Sequence, residues 1–249
     1  LRFSLIRLTA NTWQFVWSHH HLLFDGWSLP LLLREVFTFY EAFHQKQSVS
    51  LERSRPYKDY IAWLSRQDMS KAEDYWRRKL AGFTAPTQLN IGGVFEPSTF
   101  EGNRKQVEQL ALSGALSSEL QTFARKQQVT LNTLVQTAWA LLLSHYSGED
   151  DVLFGTTVAG RPPEITGVER MLGLFINTLP VRVQFSSHDS LVSTLQTLQA
   201  EQAEMRQFEY TPLVQVQSWS EVPRGRALFE TLLIFENYRT ESASPEQAQ

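Results

Sequence analysis

Apolar residues alternate with polar ones near the start of the chain and then change to a helical spacing. Trp13, Phe15 and Trp17 occupy every second position, which predicts a strand with one face of large side chains. Apolar residues next recur at intervals of three and four, which predicts a helix with Ser28 as its cap and Pro30 in its first turn. A loop therefore connects the predicted strand to the predicted helix.

The same patterns predict the elements that follow. Helical spacing predicts helices at residues 57–65, 70–80, 117–128, 131–146 and 191–208. Strand patterns occur at residues 104–110, 151–158, 179–185 and 228–235. Helices and strands mixed in this order predict an α+β fold built in layers.

Composition predicts where the chain divides. Residues 85–102 are rich in Gly, Pro and Thr, which predicts a linker between a first region, residues 1–84, and a second region, residues 103–240. Residues 241–249 are polar and predict a flexible tail. The loop between the strand and the helix belongs to the first region.

Composition also limits the classes of function. With 249 residues, 42% of them hydrophobic, the chain can bury a substantial core. Its net charge of −3 gives no support for nucleic acid or an anionic membrane as a partner. It contains no cysteine, so disulfides and thiolate catalysis are excluded. We see neither a leader peptide nor an apolar run of about eighteen residues, and we expect a cytoplasmic protein.

The loop between the strand and the helix carries the candidate chemistry. Histidine exchanges protons near neutral pH because its ordinary pKa is about 6.5. Of the adjacent pair, His21 is the predicted base and His20 its support, because successive side chains point in different directions. Asp25 is close enough to hold the turn through hydrogen bonds or an ion pair. Gly26 is predicted to provide a positive φ or a close backbone approach at that turn.

Other interpretations of these histidines differ in how well the chemistry supports them. A histidine-rich loop is also compatible with a purely structural role on the surface. Zinc is disfavoured because adjacent histidines do not converge easily on one ion and no cysteine is available. A serine hydrolase is disfavoured because Ser18 and Ser28 are not part of a Gly-x-Ser-x-Gly turn. A histidine base without a protein nucleophile suits direct acyl transfer between two substrates.

Residues 20–26 have the sequence HHLLFDG and resemble the HHxxxDG motif of the condensation domains of nonribosomal peptide synthetases. Further segments resemble later blocks of that family in the same order, at residues 55–63, 171–182, 208–213 and 228–238. The resemblance covers essentially the whole chain. It implies a chloramphenicol-acetyltransferase-like architecture of two lobes, with a tunnel at their junction and the histidine loop at its centre.

The resemblance also implies that the chain begins inside the first lobe. Members of the family carry two further motifs upstream of the histidine loop, so residues 1–84 are expected to be the C-terminal part of that lobe. The arginine that holds the motif aspartate in the family is expected in the upstream part. Asp25 is therefore expected to lack its partner here.

In the family, such a domain joins a carrier-bound acyl or peptidyl thioester to the amine of a carrier-bound aminoacyl thioester. This implies upstream and downstream peptidyl carrier proteins as partners, and a neighbouring adenylation domain. The carriers bring phosphopantetheine arms, and no cofactor or metal is expected in the domain itself. His21 would then accept a proton or position the amine. Residues 235–238 resemble domains that take an L-configured or acyl donor.

Alternative functions stay open at this point. An epimerisation domain shares the histidine pair but abstracts an α-proton from a carrier-bound residue. A noncatalytic fragment would only dock carriers, and a stand-alone acyltransferase would use coenzyme A. Heterocyclisation domains are disfavoured because they replace the two histidines of the motif.

Two more residues are candidates through their positions. Asn177 precedes a predicted strand, where it either stabilises a turn or orients a substrate carbonyl in the implied tunnel. Arg161 begins a rigid Arg-Pro-Pro loop and either holds the tunnel floor or faces solvent.

Overall fold

The computed structural model describes residues 1–89 and 107–236, and these form two compact units. The first, which we call the loop unit, contains Leu1–Asp68 and Ala159–Asn177. The second, which we call the sheet unit, contains Met69–Val158 and Thr178–Phe235. Each unit is therefore assembled from segments that are far apart in the sequence.

The loop unit begins with an antiparallel hairpin. Strand β1 (Arg2–Arg7) pairs with β2 (Trp13–Ser18), and the register aligns Phe3 with Trp17. Phe3 and Phe15 lie on the same face of the hairpin, and their rings stack with centroids 5.8 Å apart. The predicted strand is thus confirmed to within one residue, while β1 was not predicted as a separate strand.

Two α-helices follow in the described part of the loop unit. They are α1 (Ser28–His44) and α2 (Lys58–Leu64). Tyr60 of α2 is buried in a small apolar core whose other members come from the second segment of the unit: Ile165, Val168, Met171 and Phe175. This shared core attaches residues 159–177 to the first part of the chain.

The sheet unit contains three strands and five helices among its described residues. The strands are β3 (Asp151–Val158), β4 (Asn177–Gln184, of which Asn177 belongs to the loop unit) and β5 (Leu232–Leu233). The helices are α3 (Met69–Leu80), α4 (Gly114–Lys126), α5 (Leu131–Ser147), α6 (Leu191–Met205) and α7 (Leu213–Trp219). The sheet order is β4-β3-β5, and β3 runs parallel to β5.

The central strand β3 lies in the larger apolar core of the protein, which belongs to the sheet unit and which we call the main core. Its run from Val152 to Phe154 is almost fully buried, as is typical of a strand that is covered on both faces. Trp76 of α3 is also fully buried in this core. Thr130 caps helix α5, because its hydroxyl accepts the N–H of Thr133 at 3.1 Å.

The observed elements correct several predicted boundaries. The predicted strand at 228–235 is reduced to Leu232–Leu233. Residues 107–110 are not in a strand, and residues 104–106 lie outside the described residues. The predicted helices agree with α2 to α6 to within three residues at each end, and α7 was not predicted. No helix within residues 1–89 or 107–236 combines the length and the apolar character that a membrane crossing requires.

The two compact units also differ from the predicted contiguous regions. Helix α3 was assigned to the region 1–84, yet it lies in the sheet unit because its apolar side packs into the main core. Residues 159–177 were assigned to the region 103–240, yet they lie in the loop unit. Within the predicted linker 85–102, Thr87 is buried and its hydroxyl accepts the N–H of Leu153 at 2.9 Å. Residues 90–102 of the predicted linker and the predicted tail lie outside the described residues.

A buried chain of side-chain hydrogen bonds crosses the sheet unit. Gln136 on α5 donates through Nε2 to the hydroxyl of Thr156 at 3.2 Å and accepts from Nε2 of Gln202 at 2.7 Å. Thr156 passes the chain on to the carbonyl of Leu233 at 3.3 Å. These bonds connect α6, α5, β3 and β5 in one buried network.

Replacing Gln136 with leucine is expected to lower the free energy of unfolding by about 1–3 kcal/mol, because Gln202 Nε2 loses its buried acceptor. Denaturant unfolding of the variant measures this loss. Gln215→Leu on the exposed part of α7 is the control and is expected to change stability by less than about 0.5 kcal/mol. Equal losses in the two variants would contradict the role of the network.

Candidate active site

The histidine loop, residues 19–27, connects β2 to α1. His21–Leu23 form a single turn of 3₁₀ helix within it. Nδ1 of His20 accepts the backbone N–H of Leu22 at 3.1 Å and so caps this turn. Because that nitrogen is an acceptor, the ring proton of neutral His20 is on Nε2. His20 therefore caps the turn, and its ring is held in one orientation. Its support of His21 as a base stays a prediction.

Both histidines of the pair are exposed to solvent. They differ because the ring of His20 accepts a backbone N–H, whereas no hydrogen bond of the His21 side chain is found within residues 1–89 and 107–236. The imidazole of His21 is thus free to exchange a proton with a bound molecule. The same part of the chain contains no cluster of three or more His, Asp or Glu side chains arranged to hold a metal ion.

Aromatic side chains pack against the start of the loop. The ring of His19 lies 5.0 Å from that of Trp17 and 5.6 Å from that of Phe24, measured between centroids. Trp17 is in turn 6.1 Å from Phe24 in an edge-to-face arrangement. This cluster fixes the direction in which the chain leaves β2.

Asp25 is the buried polar anchor of the loop, with only 1% of its surface exposed. Oδ1 accepts the N–H of Ser28 at 3.0 Å and the hydroxyl of Ser28 at 2.9 Å. Oδ2 accepts the N–H of Phe175 at 3.1 Å. Nη2 of Arg161 donates to both oxygens, at 3.1 and 3.3 Å. Asp25 therefore holds the turn by hydrogen bonds and an ion pair together.

These contacts correct the predicted cap of α1. Ser28 is the first residue of α1, and its hydroxyl points to Asp25 and to the carbonyl of Gly173 instead of capping the helix. The carboxylate of Asp25 accepts the first free N–H of the helix in its place. Gly26 is not among the described glycines with a positive φ, so that part of its predicted role is wrong.

Arg161 is the partner that Asp25 was expected to lack. Its side chain is 6% exposed, and Nη1 donates to the carbonyls of Val168 at 2.6 Å and Met171 at 2.9 Å. Its Cζ lies 4.1 Å from the ring centroid of Phe175. Burial lowers the pKa of Arg161 and the Asp25 carboxylate raises it. A guanidinium remains charged in proteins, so the pair is a buried ion pair.

The expectation that the partner arginine lies upstream of the chain is therefore wrong, as is the alternative in which Arg161 faces solvent. Arg161 is 136 positions downstream of Asp25, and sequence spacing alone gave no sign of their contact. One signal was available. An arginine between a buried strand and two prolines is held in a rigid loop next to the core, where its charge requires a partner.

The segment Gly173–Phe175 lies against the histidine loop. The carbonyl of Gly173 accepts the N–H of Asp25 at 3.1 Å, and its own N–H donates to Ser28 Oγ at 3.1 Å. Tyr57, just before α2, donates its hydroxyl to the carbonyl of Leu174 at 2.6 Å. Burial raises the pKa of Tyr57, and the Asp25 carboxylate raises it further, so the hydroxyl stays a donor.

The other predicted site residue is Asn177, which is the first residue of β4 and is partly buried. Its role in orienting a substrate carbonyl stays a prediction. Sequence reasoning did not single out Ser28, Tyr57 or Gly173 as parts of the site. All three become significant only through contacts with residues that are more than a hundred positions away in the chain.

Comparison with known families places these residues in context. The family model described as "Condensation domain" matches residues 1–249. The chain belongs to the condensation-domain family. The resemblance to the condensation domains of nonribosomal peptide synthetases, which the HHLLFDG loop indicated, is thereby confirmed.

Relatives of this condensation domain are parts of large synthases. It is 49% identical over 237 residues to one of the proteins that make up linear gramicidin synthase of Brevibacillus parabrevis, which covers 95% of the chain and 5% of that relative. It is 43% identical over 248 residues to a chondramide synthase of Chondromyces crocatus, covering 99% of the chain and 6% of the relative. The chain thus spans only about one-twentieth of the length of these relatives.

Solved structures agree on the fold of this condensation domain. It resembles the first condensation domain of the calcium-dependent antibiotic synthetase in complex with a substrate analogue, with a TM-score of 0.74 at 17% identity. The match covers 96% of the chain and 52% of that structure. At this level of identity the likeness concerns the fold alone, and it confirms the predicted α+β architecture.

Proposed function

We propose that this condensation domain forms the amide bond between two carrier-bound substrates in a nonribosomal peptide synthetase. The donor is an acyl or peptidyl thioester, and the acceptor is the amine of an aminoacyl thioester. Both are attached to phosphopantetheine arms of peptidyl carrier proteins, and an adenylation domain in the same protein supplies the acceptor. Membership of the family supports the reaction class.

The observation that carries the proposal is an exposed imidazole on a loop that is anchored from within. His21 is exposed, whereas Asp25, four residues later, is buried and held by Arg161. This arrangement fixes the backbone of the loop and leaves the His21 imidazole available to substrate.

The proposed step needs no further reactant. The acceptor nitrogen attacks the thioester carbonyl, the carbon–nitrogen bond forms, and the carbon–sulfur bond breaks. The proton lost by the amine goes to Nε2 or Nδ1 of His21 and from there to the departing thiolate. The thioester is already activated, so neither nucleotide nor metal is required by the chemistry.

The donor is proposed to be L-configured or acyl. This assignment rests on the resemblance of residues 235–238 to domains of that type, and residues 237 and 238 lie outside the described residues. Asn177 is proposed to orient a substrate carbonyl.

Amide formation between two loaded carrier proteins tests the proposal, measured in a single turnover with the full-length protein and its His21→Ala variant. The variant is expected to be at least tenfold slower but still active. General base catalysis contributes about 10²–10⁴-fold. Alignment of two tethered substrates contributes about 7–11 kcal/mol, and the variant retains it.

His188→Ala is the matched control because His188 lies in an exposed loop of the sheet unit, whereas the described site belongs to the loop unit. It is expected to react at the wild-type rate. Exchange of the α-proton of one carrier-bound residue without amide formation would identify an epimerase instead. Carrier binding with neither reaction would identify a docking module, and turnover of free coenzyme A thioesters without carriers would identify a stand-alone acyltransferase.

A further inference from the structure

Ser28 is fully buried and lies among the groups that hold Asp25 and the histidine loop in place. Its Oγ lies 2.9 Å from Asp25 Oδ1, 3.0 Å from the carbonyl oxygen of Gly173 and 3.1 Å from the N–H nitrogen of the same glycine. Arg161 Nη2 lies 3.4 Å away. One hydroxyl therefore connects the carboxylate, the guanidinium and both polar groups of a distant residue.

The number of hydrogen bonds that the Ser28 hydroxyl can donate and accept limits which contacts it makes. A hydroxyl has one proton and two lone pairs, so Oγ donates to either Asp25 or Gly173 and accepts from the N–H of Gly173. The carbonyl of Gly173 also accepts the N–H of Asp25 at 3.1 Å. Gly173 is thus bonded through its N–H to the first residue of α1 and through its carbonyl to Asp25 of the histidine loop.

Tyr57 also packs against Gly173. The ring of Tyr57 lies against the glycine so closely that a Cβ added there would overlap it. The hydroxyl of Tyr57 holds the next carbonyl, that of Leu174, at 2.6 Å. Both Ser28 and Tyr57 therefore hold the segment in place, and the Ser28 hydroxyl supplies the hydrogen bonds to Gly173.

We propose that Ser28 is a positioning residue for His21. Its hydroxyl connects Asp25 to the backbone of Gly173. It thereby fixes the position of the histidine loop and of the His21 imidazole on it. The proposal rests on the amide-forming function proposed above for its kinetic consequence. Its structural consequence, a changed environment of the two loop histidines, is independent of that function.

Two variants of Ser28 test the proposal in the full-length protein. Ser28→Ala removes the hydrogen bonds, and Ser28→Cys keeps a side chain of similar volume with a much weaker donor. Both are expected to lower kcat for amide formation at least tenfold and to change the KM for either loaded carrier by less than threefold. Wild-type kcat in the cysteine variant would show that only volume matters and would overturn the proposal.

Ser190→Ala is the matched control. Ser190 is an exposed serine that caps α6 in the sheet unit and accepts the N–H of Ser193 at 3.1 Å, so its loss removes hydrogen bonds that do not involve the histidine loop. It is expected to leave kcat unchanged. A loss confined to KM, or an equal loss in the Ser190 variant, would show a general structural effect and would overturn the positioning role.

Nuclear magnetic resonance of ¹³C-histidine-labelled protein separates failure of this inference from failure of the proposed function. The ring signals of His20 and His21 are expected to shift or broaden in Ser28→Ala and to stay in place in Ser190→Ala. If wild-type protein forms no amide, the proposed function fails while this readout still decides on Ser28. Unchanged histidine signals in Ser28→Ala would overturn the inference even if amide formation is observed.

Discussion

Replacing Arg161 with methionine is expected to lower the free energy of unfolding by about 3–5 kcal/mol. Methionine retains the length and apolar body of the side chain, so the change isolates the guanidinium. Without it, the Asp25 carboxylate stays buried with its charge uncompensated, and the carbonyls of Val168 and Met171 lose their donor. The loss follows mainly from leaving a buried charge alone and only in part from the attraction within the pair.

Denaturant unfolding measures this loss of stability, and two further variants serve as comparisons. Arg170→Met breaks an ion pair to Glu52 whose side chains are 50% and 74% exposed, and it is expected to cost less than about 1 kcal/mol. The double variant Arg161→Met with Asp25→Asn removes the stranded charge, so its loss is expected to be smaller than the sum of the single losses. Similar losses for Arg161→Met and Arg170→Met would contradict the buried pair.

Replacing Gly160 with alanine is expected to destabilise the protein by about 2–6 kcal/mol, from two additive costs. Gly160 has a φ of 60°, where an L-residue is strained by about 1–3 kcal/mol. A Cβ at this position would also overlap the carbonyl oxygen of Phe175, which is backbone and cannot move aside without its segment. Overpacking of this kind costs about 1–3 kcal/mol.

The matched control for this variant is Gly167→Ala in the same unit. Gly167 has a φ of 80°, but nothing lies within 4 Å of an added Cβ. Its loss therefore measures the backbone strain alone, and the difference between the two variants measures the clash. Displacement of Phe175 would also weaken its N–H bond to Asp25, so amide formation is expected to fall only in Gly160→Ala. Equal effects of both variants would disprove the close contact.

Sequence patterns predicted the regular elements well where one local rule decides them. The alternation at Trp13, Phe15 and Trp17 gives β2, and the helical spacing from Leu131 onward gives α5. The predicted strand at 228–235 is longer than the observed one. The pattern reports only apolar character, whereas the length of the strand depends on how many of its residues pair with β3. Only Leu232 and Leu233 align with β3.

The sequence predicted the candidate base of the site but not the set of contacts that holds its loop in place. The HHLLFDG loop indicated the candidate base, and Asp25 was expected to hold a turn. The sequence indicated that Arg161 needs a partner but did not pair it or Phe175 with Asp25, because the apolar core of the loop unit brings these distant residues together. Ser28 was assigned to the helix cap because a serine before a helix usually serves there, and the buried carboxylate displaced it.

The loop unit is built from two segments that the ribosome makes at different times. Residue 25 leaves the peptidyl-transferase centre 136 residues before residue 161, which is a delay of roughly 7–27 s at a synthesis rate of about 5–20 residues per second. During that interval the Asp25 carboxylate has no guanidinium to bind, and burying it would be unfavourable. The histidine loop therefore reaches its final form only after the first segment of the sheet unit, Met69–Val158, has been synthesised.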